Sequence, residues 1–418
     1  MSDQVAAVPE NSLPDEYGRD FRLYVTGRVV SVVGDRIAKI ALVFLVIRLA
    51  HGFAPAVSLY YVAQLAPGIV GGLLAGVAAD QVDRRRLMVG CDVGRAMLVG
   101  LVPLAVTVGL WMVFPLVVIL YTLTLLFDTT AGAAVPDLVA PARLTGANSI
   151  LSGIDAAADF AYAVGGALIF VFGYELPFYF DAASFLFSAG MLWAITIPSH
   201  SRGEKMDVRG IVSSISEGIT FLVQQPFLKW SVAALGIGAL AGGMGYVLTP
   251  LYASRVLARS SGLAGPLHGG AFRFSVLEVA LGVGLLVASG VASRLERRFP
   301  GGALFGAGLS VFGVAYALLA WCHNLYLAVA LLFVAGVANG MFVILGFTLL
   351  RRLTPSAMRG RVSGATATAI NTSLVAGSAL GGALLLLLPF SVLWLLLGGI
   401  VVLSSLLVWL NPAVRSTR

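Results

Sequence analysis

The stretch Gly76-Val-Ala-Ala-Asp80-Gln-Val-Asp83-Arg84-Arg85-Arg86-Leu87 interrupts an apolar background with two acids and three consecutive arginines. An apolar run from Ala54 to Ala79 precedes it, and another from Leu87 to Val108 follows. Each exceeds the roughly 20 residues that a helix needs to cross a bilayer. The stretch therefore reads as a tight polar hairpin between two membrane helices. Three arginines in so short a loop place it on the cytoplasmic side.

The composition points the same way. The chain has 418 residues, 59% hydrophobic and 11% charged, where soluble domains carry about 25% charged residues. Mean hydropathy is +0.94. These values describe a polytopic membrane protein. The net charge of +7 does not argue for nucleic acid, because arginine collects at cytoplasmic helix ends. Cys91 and Cys322 lie in apolar segments and suggest neither a disulfide framework nor a metal site. The histidines are scattered, and no phosphate loop or clustered nucleophile is present. No enzyme, cofactor or resident metal is expected. Residues 1–19 are polar and read as a cytoplasmic tail, not a cleavable signal.

Twelve helices are expected: about 21–49, 55–79, 87–108, 114–134, 147–172 and 177–197, then 227–253, 270–292, 303–321, 325–350, 362–388 and 390–410. They divide the chain into a six-helix bundle at 20–197, a linker at 198–226, a second bundle at 227–411 and a tail at 412–418. Within the linker, Ile211, Ile215, Ile219 and Leu222 recur at a helical period, predicting an amphipathic surface helix. Placing the N-terminus in the cytoplasm puts Arg84, Arg85, Arg86, Arg143, Arg294, Arg297, Arg298, Arg351, Arg352, Arg359 and Arg361 on that side. The other side receives Arg255 and Arg259, with Arg273 nearby. Both termini are therefore expected inside an inner cell membrane.

The two halves repeat. Gly76-Val-Ala-Ala-Asp80 answers Gly290-Val-Ala-Ser-Arg294, and Pro141 and Gly146 answer Pro355 and Gly360, each 214 positions on. Gly165-Gly-Ala-Leu168 answers Gly381-Gly-Ala-Leu384. Parallel six-helix repeats of this kind build a known class of transporter.

The loop after helix 2 resembles the signature of the major facilitator superfamily, with Gly76, Asp80, Arg84 and Arg85 in register; Gln81 and Asp83 depart from the usual Arg and Gly. Asp20-Phe21-Arg22, Gly34-Asp35, Ala147-Asn148, Asp181-Ala-Ala-Ser-Phe185 and Arg359-Gly-Arg361-Val are similar to its enterobactin-exporter-like and macrolide-efflux-like branch. The resemblance implies a cavity lined by helices 1, 4, 7 and 10. It also implies a cytoplasmic gate from Gly76, Asp80, Asp83, Arg84, Arg85, Arg359 and Arg361. Tyr162-Ala163 stands where drug antiporters carry Gly-Pro, which departs from that group.

Charges at bilayer depth are costly and mark function by default. Helix 1 carries Arg28, Asp35, Arg36 and Lys39. Asp35 and Lys39 are one turn apart and can pair. Asp155 and Asp159 share a face of helix 5 and can answer the helix 1 cations. Asp128 belongs to a gate or hydrogen-bond network, and Asp181 reads as structural. Glu278 lies midway along helix 8 with no cation one turn away, a group suited to reversible protonation. Tyr121, Tyr246, Asn339 and Asn371 are candidate polar groups of a cavity, with Phe127, Met244 and Phe342 as its apolar wall. The expected function is proton-coupled export of a small amphipathic compound by a monomer in the bilayer. Lysophospholipid transport, ferroportin-like divalent-metal export and a transport-inactive sensor are the alternatives.

Overall fold

A computed structural model describes residues 17–69, 82–197, 208–257 and 269–411. Gly76, Asp80, both tails and most of the loop after helix 6 lie outside them. Among the described residues, fifteen α-helical segments are present: two each in helices 3 and 5, one in each of the other ten spans, and a linker helix. Helix 1 is Arg19–Leu49, and helix 2 includes Ala54–Leu65. Helix 3 comprises Arg84–Gly100 and Val102–Val108, helix 4 is Leu110–Leu138, helix 5 comprises Leu144–Ala158 and Ala161–Phe172, and helix 6 is Glu175–Trp193. The linker helix is Val208–Gln224. Helices 7 to 12 are Pro226–Arg255, Gly270–Glu296, Gly301–Leu318, Leu325–Leu353, Arg359–Leu384 and Phe390–Trp409. Among the described residues, seven spans are uniformly long and apolar, or eight with the bent helix 3. Helix 1 is long enough but carries Arg28, Asp35, Arg36 and Lys39 within its span.

Two spans expected to be continuous are broken. Helix 3 bends by 43° at Leu101, where Pro103 lacks the N–H that would continue the ladder. Helix 5 breaks at Asp159 and Phe160, whose N–H groups bond three residues back to Ala156 and Ala157 instead of four. A tightened turn of this type often marks a functional position inside a helix.

Turns on one face are very short. Gly109 at φ +142° joins helices 3 and 4, and Gly173 at φ +79° joins helices 5 and 6. A side chain is strained at such angles. The other face holds the arginine-rich helix ends and is called the basic face below. One helix starting from each face is capped: on the basic face the Asp83 carboxylate accepts from the Arg86 N–H at 2.8 Å, and on the other Asn324 Oδ1 accepts from Tyr326 N–H at 2.8 Å.

In the first bundle, helix 1 packs on helices 5 and 6, and helix 3 on helices 4 and 6. In the second, helix 8 packs on helix 10, helix 9 on helices 10 and 12, and helix 7 on helices 11 and 12. The bundles meet through helix 2 against helix 11 and helix 5 against helix 8. These contacts gather away from the basic face. Ser58 Oγ donates to the Ser378 carbonyl at 2.7 Å. Arg255 donates to the Gly52 carbonyl, and Phe44 meets Phe274 at 5.7 Å between centroids. Gly382 sits directly on Ser58, with no space for a side chain. The outer surface stays apolar, as in Trp193 and Leu387, because lipid is as good a solvent for those side chains as the core.

The linker helix packs on helix 11. Arg361 pairs with Glu217 at 2.6 Å, and Gly218 lies against the Arg361 carbonyl. Leu222 is buried.

Candidate functional site

The site begins with helix 1. Its cations point at two neighbouring helices. Arg28 donates to Asp128 of helix 4 at 2.7 Å and to Asp155 of helix 5 at 3.2 Å. Two turns on, Arg36 donates to Asp159 at 2.9 Å and to Asp35 at 3.1 Å. Lys39 stands 3.5 Å from Asp35. Arg36 lies over the Tyr162 ring at 5.7 Å and Lys39 over Tyr121 at 5.5 Å, positions favourable for a cation on a ring face. Asp155 and Asp159 thus each meet a different cation, and Arg28 reaches the helix 4 and 5 acids, not Asp35.

A second ion pair sits behind the first, on helix 3. Arg95 is 4% exposed and Asp92 fully buried, and the two are paired. The Arg95 guanidinium lies between the rings of Phe127 and Phe185, 4.2 and 4.3 Å from their centroids. Sequence reasoning missed both residues. The available signal was an acid and a base three apart inside an apolar helix. Phe127, expected on a cavity wall, packs on Arg95. Asp181 is 1% exposed; the Ser184 hydroxyl donates to it at 3.1 Å, and Gly34 of helix 1 closes over it.

Three cavities follow one another, each sharing lining residues with the next. The first, about 290 Å³, is polar: Arg28, Asp35, Arg36, Lys39, Arg95, Asp128 and Asp155 line it. Asp128 and Asp155 are 46% and 45% exposed there, so it opens toward the basic face. The second, about 110 Å³, shares Lys39 with the first and is lined by Tyr60, Tyr61, Tyr162, Tyr246 and Glu278. The third, about 230 Å³, shares Tyr246 and Glu278 with the second. Its remaining wall is mostly apolar, including Leu235, Leu281, Phe312, Tyr316, Phe342 and Leu374, with Asn339 as a polar group. The path therefore runs from a charged chamber in the first bundle to an aromatic one in the second. A larger cavity of about 450 Å³ between helices 1, 3, 5 and 6 shares no lining residue with these three.

Glu278, like the buried Asp181, differs from the ion-paired acids. Among the described residues, no Lys, Arg or His nitrogen lies within 4 Å of its carboxylate. The tyrosines around it pack on one another: Tyr61 and Tyr246 stack at 5.5 Å. Asn371 does not line the cavities; it donates to the Gly68 carbonyl at 2.9 Å across the seam of helices 2 and 11. Met244 is 2% exposed and belongs to the core.

At the basic face, Arg84 donates to Asp137 at 2.7 Å, tying the start of helix 3 to the end of helix 4. The second bundle repeats the tie with its charges exchanged, Arg352 on helix 10 donating to Glu296 of helix 8 at 2.6 Å. Arg85 lies over the Trp193 ring, and Arg359 donates to the Thr354 carbonyl.

The transmembrane secretion effector family matches residues 18–418. The chain belongs to that family. Its members are transporters of the major facilitator superfamily, and this chain is a multi-pass membrane transporter, not an enzyme. The uncharacterized MFS-type transporter YfiS of Bacillus subtilis (strain 168) is 25% identical over 406 residues, covering 94% of this chain and 93% of that protein. YkuC of the same organism, also an uncharacterized MFS-type transporter, is 24% identical over 309 residues, 71% and 70% of the two chains. Among solved structures, a peptide transporter in complex with alafosfalin has a TM-score of 0.75 at 16% identity, covering 98% of this chain and 97% of that one. A bacterial homologue of the iron transporter ferroportin, in an inward-facing state, has a TM-score of 0.73 at 18% identity, covering 96% and 99%. At those identities the likeness shows the major facilitator fold. Among the described residues of this secretion-effector member, no three His, Cys, Asp or Glu side chains stand together as a metal-holding group.

Proposed function

We propose that this chain exports a small amphipathic compound by alternating access, coupled to protons. The observation that carries this reading is the series of cavities, charged at one end and aromatic at the other. An amphipathic molecule needs both surroundings at once, and a purely polar or purely greasy cargo would leave one chamber unanswered. The basic face is taken as cytoplasmic, because arginine crowds the cytoplasmic ends of membrane helices. The cavities then open to the cytoplasm, while Ser58–Ser378 and Arg255–Gly52 close the far side.

Glu278 is assigned to the proton. A carboxyl that is alternately wetted and sealed among apolar groups changes its proton affinity between the two states, and Glu278 has no counter-ion within 4 Å to hold it charged. Asp35, Arg36, Lys39, Asp128, Asp155 and Asp159 form the ion network whose pairs exchange as the bundles rock. Asn339 contributes a polar contact. Asp83, Arg84, Arg85, Arg359 and Arg361, with Gly76 and Asp80, make the gate of the basic face.

Reconstitution into proteoliposomes with an imposed pH gradient tests the reading. A panel of neutral, zwitterionic, anionic and cationic amphiphiles is offered, and at least one should accumulate against its gradient. Glu278→Gln should abolish that uphill accumulation. The reading falls if no compound accumulates, and the proton assignment falls if the variant accumulates as well as the parent.

A further inference from the structure

Charge is unevenly spread along the three cavities: four bases and three acids line the first, whereas Glu278 is the one charged group among the described residues lining the third. Around helix 1 the bases are Arg28, Arg36, Lys39 and Arg95. The acids lining the cavities are Asp35, Asp128, Asp155 and Glu278, equal in number to the bases; outside the lining, Asp159 pairs with Arg36 and Asp92 with Arg95. Lys39 of helix 1 lines the middle cavity together with Glu278, and Arg36 and Asp159 stand on the adjoining helices 1 and 5. Both cations are already engaged, Lys39 by Asp35 at 3.5 Å and Arg36 by Asp159 at 2.9 Å. Glu278 shares the lining of its two cavities with Tyr61, Tyr162, Tyr246 and Tyr316, from helices 2, 5, 7 and 9.

We infer that the cargo is a monovalent organic cation with an apolar body, held with its charge at Glu278 among the tyrosine rings. The inference rests on the transporter reading above and names its substrate class. Three physical points carry it. A carboxylate in poorly solvated surroundings gains most from an opposite charge brought to it. Ring faces attract a diffuse cation, and that attraction grows when water is excluded. Calcium and magnesium take six or more oxygen ligands and zinc four nitrogen, sulfur or oxygen ligands, which one carboxylate among rings does not supply. An anionic cargo would meet like charge, and a neutral one would leave Glu278 unanswered.

The test uses purified full-length protein in detergent and three probes of similar shape: tetraphenylphosphonium, triphenylphosphine oxide and tetraphenylborate. Equilibrium dialysis reads binding. Tetraphenylphosphonium should bind saturably and at least about tenfold more tightly than the neutral oxide, a difference of about 1.4 kcal/mol, and the borate, dialysed alone, should not bind saturably. Glu278→Gln should weaken phosphonium binding about tenfold and leave the oxide unaffected. Tyr246→Leu, which keeps apolar area and removes a ring, should weaken the phosphonium severalfold. The inference is overturned if the three probes bind alike, or if phosphonium affinity is unchanged in both variants. Dialysis needs no transport. Indifference to probe charge together with pH-driven uptake of neutral amphiphiles removes the cation and leaves the transporter reading standing. Absence of all pH-driven uptake strikes the transporter reading instead.

Discussion

Arg36 and Asp159 meet at 2.9 Å where helix 5 is broken. The same carboxylate stem lies against Gly282 of helix 8, one turn beyond Glu278. One acid therefore touches the charged stripe of the first bundle and the backbone of the second.

This junction should behave as a coupled unit. Asp159→Asn leaves Arg36 with Asp35 alone, and Arg36→Gln leaves Asp159 without its partner. Each single variant should lower thermal stability in detergent, and the double variant should lose less than the sum of the two. A coupling energy of about 1–3 kcal/mol is expected for groups in one network. Strict additivity would show that the pair contributes nothing beyond its separate members.

Arg95 should be the least replaceable cation. Removing it strands Asp92, which is fully buried, and breaking a buried pair from one side costs about 3–5 kcal/mol. Arg95→Leu should unfold at markedly lower temperature than the parent. Arg95→Lys should recover little, because only a planar guanidinium stacks between Phe127 and Phe185. Full recovery by lysine, read by thermal unfolding, would refute the sandwich as the reason.

Closure opposite the basic face depends on a glycine. A side chain on Gly382 would collide with Ser58, so Gly382→Val should hold helices 2 and 11 apart. A cysteine introduced at Ser58, which is 6% exposed, should react slowly with a water-soluble maleimide in the parent background. It should react several times faster when combined with Gly382→Val. Equal rates would mean the seam is not closed by this contact.

Sidedness follows from the arginine distribution. Ser293, exposed at the end of helix 8, and His323, exposed before helix 10, lie on opposite faces. Cysteines placed at these positions should be labelled from inside and from outside intact cells respectively. The reverse pattern would invert the proposed direction of transport.

The apolar lengths and the arginine-rich ends made the twelve segments legible, because both follow from the bilayer and not from tertiary packing. The charges of helix 1 were legible for the same reason: each is conspicuous against its neighbours. Their partners were harder. Asp155 and Asp159 could be matched to helix 1 cations as a pair, but which acid meets which cation depends on how helices 1 and 5 are placed against each other. Asp92 and Arg95 went unread inside an apolar run. The rings around Glu278 come from helices 2, 5, 7 and 9, and nothing in the order of the chain brings those positions together. Asn371 was read into the cavity because it is polar in a membrane helix; it instead satisfies a backbone carbonyl at a seam between bundles.

Glu278 is one carboxylate shared by two cavities, and that number has an energetic meaning. A single negative group holds one positive charge at a time, either the proton or the cargo cation. Exchange of one for the other moves no net charge across the bilayer. The cycle would then draw on the pH difference alone and ignore the membrane voltage. A neutral cargo would instead carry one uncompensated proton charge inward per turn, adding about 2.3 kcal/mol of drive for every 100 mV. Clamping the voltage of loaded vesicles at zero, with the pH difference kept, would therefore reveal the electrical character of the cargo without its chemical identity being known.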